Sequence, residues 1–256
     1  MYTICKVIDE ECAGDMYRKM VQEKNMDKNK ITAIVLAAGK GSRMHSEIPK
    51  QFINIYDRPV LYYSLKAFQE SDVDEIILVT GQEDISYCRK EIVERYGICK
   101  VTRIVAGGTE RYDSVRNGLL AAEDADYVLI HDGARPCITD RIISDSIENV
   151  KKYKACTVGV PVKDTIKKVD SDGYSIETPD RAYLWQIQTP QSFDRKLLTS
   201  CYERLAKEKP AGITDDTMLV EMYTDVRSKV IMGGYENIKI TTPEDLKTAE
   251  NFLKNS

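Results

Sequence analysis

The sequence predicts an α/β fold: a mainly parallel sheet covered by helices on both faces, a three-layer sandwich. Three observations predict it. Short apolar runs alternate with segments of helical periodicity. The first run opens into a loop of small residues. Further along, other runs end in glycines or in an aspartate, the places where such sheets bind ligands.

The apolar runs at 31–36, 75–80, 101–106, 127–131 and 156–162 read as strands. Between the first two, residues 60–70 carry Leu61, Ser64, Leu65 and Phe68 on one face. Residues 83–96 and 114–122 follow the same spacing, and 141–153 places Ile142, Ile143 and Ile147 together. Strand, helix, strand in this order implies right-handed crossovers and one common rim for the strand ends. The loop at 37–43, Gly107-Gly108 and Asp132 all follow strands, so they share that rim.

The alternation stops after Lys163. Two short runs, 165–169 and 174–178, flank Asp170-Ser171-Asp172-Gly173, a strong hairpin signal. This predicts a protruding β-arm over about residues 164–183. Helices are expected at 195–207 and 216–223, strands at 229–232 and 237–240, and a last helix at 243–253. Pro243, Glu244 and Asp245 make a favourable helix start. Residues 1–30 are charged and carry no convincing strand; they read as a dispensable extension or, alternatively, a small docking segment, with the main domain at 31–256.

Composition narrows the function. With 256 residues, 42% hydrophobic and 30% charged, the chain is an ordinary globular protein. A net charge of −4 argues against a nucleic-acid binder, and no apolar run is long enough to span a membrane. Seven cysteines without a C-x-x-C pair, and no signal-peptide pattern, fit reduced thiols in the cytoplasm. Two histidines, His45 and His131, give little support to a His-based metal site or a Ser/His/Asp triad.

The loop Leu36-Ala37-Ala38-Gly39-Lys40-Gly41-Ser42-Arg43-Met44, followed by Pro49-Lys50-Gln51, carries the most chemistry. Small residues let backbone N–H groups approach phosphate oxygens. Arg43 and Lys50 add two fixed cations that can stabilise charge at a phosphorus centre. The loop is not a Walker A motif, and Met44 breaks the dinucleotide fingerprint.

Other motifs follow in order. They are Gly107-Gly108-Thr109-Glu110-Arg111-Tyr112-Asp113-Ser114-Val115, His131-Asp132-Gly133-Ala134-Arg135-Pro136, Asp164-Thr165, Asp180-Arg181, Gln188-Thr189-Pro190-Gln191, Thr214-Asp215-Asp216, and Asn237 to Leu246. This ordered set, over about residues 31–253, resembles the 2-C-methyl-D-erythritol 4-phosphate cytidylyltransferases of the non-mevalonate isoprenoid pathway. The related ribitol-5-phosphate cytidylyltransferases of teichoic-acid synthesis share most of the motifs. Ala-Ala-Gly in the first loop, the six residues between Arg43 and Lys50, and Asp-Ser-Val in the second motif favour the erythritol enzymes.

The resemblance implies a Rossmann-like fold of the nucleotide-diphospho-sugar transferase type. It implies transfer of CMP from CTP to a polyol phosphate, with Mg²⁺ and a homodimer formed through the β-arm. Arg43 and Lys50 match the stabilisers at the α-phosphate, and Arg181 and Lys239 the groups that hold the acceptor phosphate. Thr165, Thr189 and Thr214 would add hydrogen bonds, with Thr165 and Arg181 serving the partner's site. Ala37, Ala38, Gly39, Gly41 and Ser42 would line CTP, and Gly108, Thr109 and Ser114 would meet cytosine. Thr109 stands where some members carry Asp. Arg111 is open between a structural role and a base-side one. Asp132 is a candidate for substrate or metal, with Arg135 beside it as a substrate contact.

Overall fold

The computed structural model describes residues 29–39, 44, 48–208, 210 and 212–254. Gly41, Ser42, Arg43, His45 and nearly all of the N-terminal extension lie outside the described residues.

In chain order, β1 (Ile31–Ala37) is followed by a small hairpin, β2 (Asn54–Ile55) and β3 (Arg58–Pro59), and by α1 (Val60–Glu70). β4 (Glu75–Thr80), the helical run α2 (82–96), β5 (Val101–Ala106), α3 (Arg111–Ala121) and β6 (Tyr127–Asp132) come next. Then come α4 (Asp140–Tyr153), β7 (Ala155–Pro161), the hairpin β8 (Lys168–Val169) and β9 (Ser175–Glu177), and β10 (Trp185–Asp194). α5 (Arg195–Glu208), α6 (Asp216–Tyr223), β11 (Lys229–Met232) and α7 (Pro243–Lys254) complete the chain.

Seven strands form one sheet in the order β11-β7-β10-β6-β1-β4-β5. β1 pairs parallel with β4 and β6, β4 with β5, and β11 with β7. A continuous apolar run is what a strand covered on both faces requires, and β1 (ITAIVLA) is buried almost throughout. One face packs Leu65 and Phe68 of α1, Ile92 of α2 and Ile143 of α4 against Val35, Leu78 and Leu129. The other packs Val115 of α3, Leu198 of α5 and Leu219 of α6 against Ile34, Val79, Ile130 and Phe193. The expected three layers are present.

Two strand assignments differ from expectation. β10 was legible only as a polar motif, yet it runs antiparallel between β6 and β7. Proline cannot donate to a ladder, and Pro190 falls where the β10 register shifts between Ile187 and Gln191. Residues 237–240, expected as a strand, form no ladder. They cross the top of the sheet and are held by single bonds: Ile240 N–H donates to the Ala134 carbonyl at 2.8 Å, and Arg135 Nη1 donates to the Asn237 carbonyl at 2.8 Å. α3 starts at Arg111, earlier than its apolar spacing suggests, because Glu110 and Asp113 form a reciprocal capping box.

The arm is exposed along its length, including Val169, Tyr174 and Ile176. No helix among the described residues is long and apolar enough to cross a membrane.

Gly118 lets α3 lie close on the sheet: a Cβ there would come within 2.5 Å of Ile34 Cγ2. Gly118→Val is therefore expected to cost about 1–3 kcal/mol despite its gain in chain stiffness, measured by urea unfolding.

Candidate active site

The strand ends build a cleft of about 210 Å³. β1 contributes Leu36 and Ala37, continuing into Ala38 and Gly39. The turn after β5 contributes Gly108, Thr109 and Glu110, α3 adds Arg111 and Ser114, and β6 ends in Asp132. Lys50 and Lys239 close the rim from loops distant in sequence.

Close approach explains Gly107 and Gly108. A Cβ on Gly107 would collide with Ala38, and one on Gly108 with the Asp113 side chain. The turn is fixed by Ser114, whose hydroxyl accepts from Gly108 N–H at 3.1 Å. Gln51 Nε2 donates to the Ala37 carbonyl at 2.7 Å and ties the segment after the first loop back to β1. Lys50 Nζ donates to the Ile240 carbonyl at 2.8 Å.

Asp132 is the charge centre. Lys239 Nζ lies 2.9 Å from its Oδ2, Arg135 Nε 3.7 Å from the same oxygen, and Arg111 Nε 3.8 Å from Oδ1. Burial alone would raise its pKa, but Lys239, Arg111 and Arg135 outweigh burial and hold the carboxyl well below the usual range. Arg111 also reaches Asp216, with Nη2 2.8 Å from Oδ2. Burial works against its charge; Asp216 and Asp132 more than restore it.

Beneath Asp132, the strand end is braced by His131. Thr189 Oγ1 accepts from the Asp132 N–H at 3.1 Å, so its own proton points to His131 Nδ1 at 3.1 Å. Nε2 then carries the ring proton and donates to the Arg135 carbonyl at 3.3 Å. Fully buried, the imidazole has its pKa lowered to about 4, burial being the main cause.

Ala37, Ala38, Gly39, Lys50, Gly108, Thr109, Arg111, Ser114, Asp132 and Lys239 thus come together from separate segments. Two expected contacts turn inward, and three more do not join the cleft within this chain. Thr189 is buried and occupied by His131 and Asp132, so it positions the strand end and does not face the cleft. Arg135 is also buried, its Nη1 spent on the Asn237 carbonyl. Thr214 lies outside the cleft lining, beside Met218. Thr165 and Arg181 sit on and below the exposed arm, with Arg181 donating to the Lys163 carbonyl at 2.6 Å.

As a resident metal ligand, Asp132 does not fit. Its oxygens face three cations, and among the described residues no three His, Cys, Asp or Glu side chains converge as a cage. Residues beyond the expected set also matter. Asp216, Gln191 and Asn237 stand within the motifs, but their burial, the bond from Asp216 N–H to Gln191 and those from Asn237 to Gln188 and Thr189 could not be read from spacing. Gln51 was visible only as the neighbour of Lys50.

The profile of the 2-C-methyl-D-erythritol 4-phosphate cytidylyltransferases matches residues 31–255. The chain belongs to this family. A relative with that name from Lachnospira eligens is 54% identical over 225 residues, covering 87% of this chain and 99% of its own. One from Lachnoclostridium phytofermentans is 52% identical, covering 88% and 97%. The solved 4-diphosphocytidyl-2C-methyl-D-erythritol synthase of Anaerococcus prevotii superposes with a TM-score of 0.78 at 37% identity, over 88% of this chain and 96% of that one. For a cytidylyltransferase-family cleft, the cationic rim around a glycine turn is the relevant geometry.

His131 makes the stability of the site depend on pH. In the unfolded chain its imidazole titrates near 6.5, and in the folded state at about 4. Between these values only the unfolded chain takes up the proton. Stability is therefore complete above about pH 6.5 and falls by about 3 kcal/mol as pH drops towards 4. Urea unfolding across this window should show the loss, and His131→Gln should flatten it.

Proposed function

We propose that this chain transfers CMP from CTP to 2-C-methyl-D-erythritol 4-phosphate and releases pyrophosphate. The observation that carries the reading is a glycine-lined cleft ringed by Lys50, Arg111 and Lys239 in a member of this family. The acceptor's phosphate oxygen attacks the α-phosphorus of CTP. A P–O bond forms there, the bond to the β-phosphate breaks, and pyrophosphate leaves with the electron pair. The attacking phosphate is already anionic near pH 7, so no protein base is needed. That agrees with a His131 that is buried and committed at both ring nitrogens.

Catalysis then rests on positioning and positive charge. Ala37, Ala38 and Gly39 present the backbone to the triphosphate, and the family resemblance assigns Gly41 and Ser42 to CTP as well. Gly108, Thr109 and Ser114 receive the cytosine. Lys50 and Arg43 stabilise the charge that develops at the α-phosphate. Lys239, oriented by Asp132 at 2.9 Å, takes the acceptor phosphate. Mg²⁺ brought in with CTP would lower the charge of the triphosphate, and no cleft residue is assigned to hold it.

The enzyme acts as a homodimer in the cytoplasm. The arm supplies Thr165 and Arg181 to the neighbouring subunit's cleft, consistent with its exposed apolar side chains, since a lone hairpin is marginal in water.

The deciding experiment is pyrophosphate release with CTP and Mg²⁺, run with 2-C-methyl-D-erythritol 4-phosphate and, separately, D-ribitol 5-phosphate. Turnover with the erythritol substrate alone is expected; turnover with ribitol phosphate alone would overturn the acceptor assignment. Lys50→Ala and Arg43→Ala should each lower kcat by about 10²–10³ with the circular dichroism spectrum retained. Mixing inactive Arg181→Ala with inactive Lys50→Ala should restore roughly a quarter of wild-type activity, because half of random dimers hold one complete site. No recovery after subunit exchange would refute the shared arm.

A further inference from the structure

Arg111 is suspended between two carboxylates. On the cleft side Asp132 Oδ1 lies 3.8 Å from Nε; behind, Asp216 Oδ2 lies 2.8 Å from Nη2. Asp216 is only 1% exposed, on the first residue of α6. Its second oxygen accepts from the Tyr202 hydroxyl at 2.6 Å. Its backbone N–H donates to Gln191 Oε1 at 2.9 Å, and the same amide side chain donates to Asp215 Oδ2 at 2.9 Å. Asp216 is thus fixed by α5, by β10 and by its own helix before it meets Arg111. Among the described residues, Arg111 is the cation within ion-pair distance of it.

A carboxylate this deeply buried is costly unless it is paired. The α5–α6 contact could have been closed with apolar residues, as it is at Leu205 and Leu219 nearby. The carboxylate stands instead behind a cleft cation that, like Lys239, also faces Asp132. Without Asp216, the guanidinium would be drawn to Asp132, which already holds Lys239. Arg111 and Lys239 would then compete for one carboxylate.

We infer that Asp216 and Tyr202 are positioning residues, which act through Arg111 to hold its guanidinium at the nucleotide end of the cleft and keep it from closing fully onto Asp132. The inference rests on the reading of the cleft as a CTP site. Burial, and then Asp216, raise the Tyr202 pKa well above its ordinary value, so its hydroxyl remains a donor throughout the working range.

The test is calorimetric titration of CTP with Mg²⁺ into the wild-type protein and into Asp216→Asn, Tyr202→Phe, Arg111→Ala and Asp216→Asn/Arg111→Ala, all well below their melting temperatures. Asp216→Asn should weaken CTP about tenfold and Tyr202→Phe about threefold. In the Arg111→Ala background, Asp216→Asn should have no further effect. A purely structural role lowers the melting temperature but leaves CTP affinity of the folded protein unchanged. Wild-type affinity in folded Asp216→Asn, or losses that add in the double variant, would overturn the inference. Should Arg111→Ala fail to fold, unchanged affinity in Tyr202→Phe and Asp216→Asn decides against it, and weakened affinity in both decides for it. If the wild-type protein binds no CTP, the nucleotide reading itself falls, and this inference with it.

Discussion

The site depends on one buried negative charge. Asp132 ends β6 at the centre of the sheet, and three cations from three different segments converge on it. Lys239 comes from the loop between β11 and α7, Arg111 from the start of α3, and Arg135 from the turn just after β6. Removing that carboxylate would leave three cations facing one another with no counterion between them. The loop crossing at 237–240 has no ladder to hold it; the Asp132–Lys239 and Arg135–Asn237 contacts help fasten it, with the bonds of Ile240 to Ala134 and Lys50.

Below the rim, the sheet supplies rigidity. Strands buried on both faces give strand ends that cannot shift independently, and the brace from Thr189 through His131 to the Arg135 carbonyl transmits that rigidity to Asp132. The neutral histidine here is a strut. A second buried histidine tautomer would break one of its two hydrogen bonds, so the ring is constrained by its partners as much as by packing against Phe68.

Much of this was legible in the sequence. The parallel strands and the helices that cover them follow from periodicity, because burial on both faces demands continuous apolar runs and each helix needs one apolar stripe. The shared rim follows from the crossover rule. Less legible was whatever depends on one side chain turning inward. Thr189 and Arg135 belong to motifs that look like ligand contacts, yet both are consumed in holding Asp132 and the 237–240 crossing. β10 was hidden because its centre is polar and interrupted by proline; the buried Gln188 and Gln191 satisfy loops above the sheet, not an apolar layer. The strand expected at 237–240 had the right residues, but its backbone N–H groups bond Gly234, Glu236 and Ala134 and not a neighbouring strand.

The pairing of Asp132 with Lys239 bears on what the cleft rejects. A pocket of bare lysines and arginines would collect inorganic phosphate and sulfate from its surroundings. Here the described lining sets Lys50, Arg111 and Lys239 against Asp132 and Glu110, so part of the rim's positive charge is offset at rest. The carboxylate serves as a built-in counterion. A small anion gains little by replacing it, whereas a ligand that also fills the glycine turn gains contacts along its whole length. Selection is thereby shifted from charge to shape, and the cleft can stay open in an anion-rich solution without being blocked.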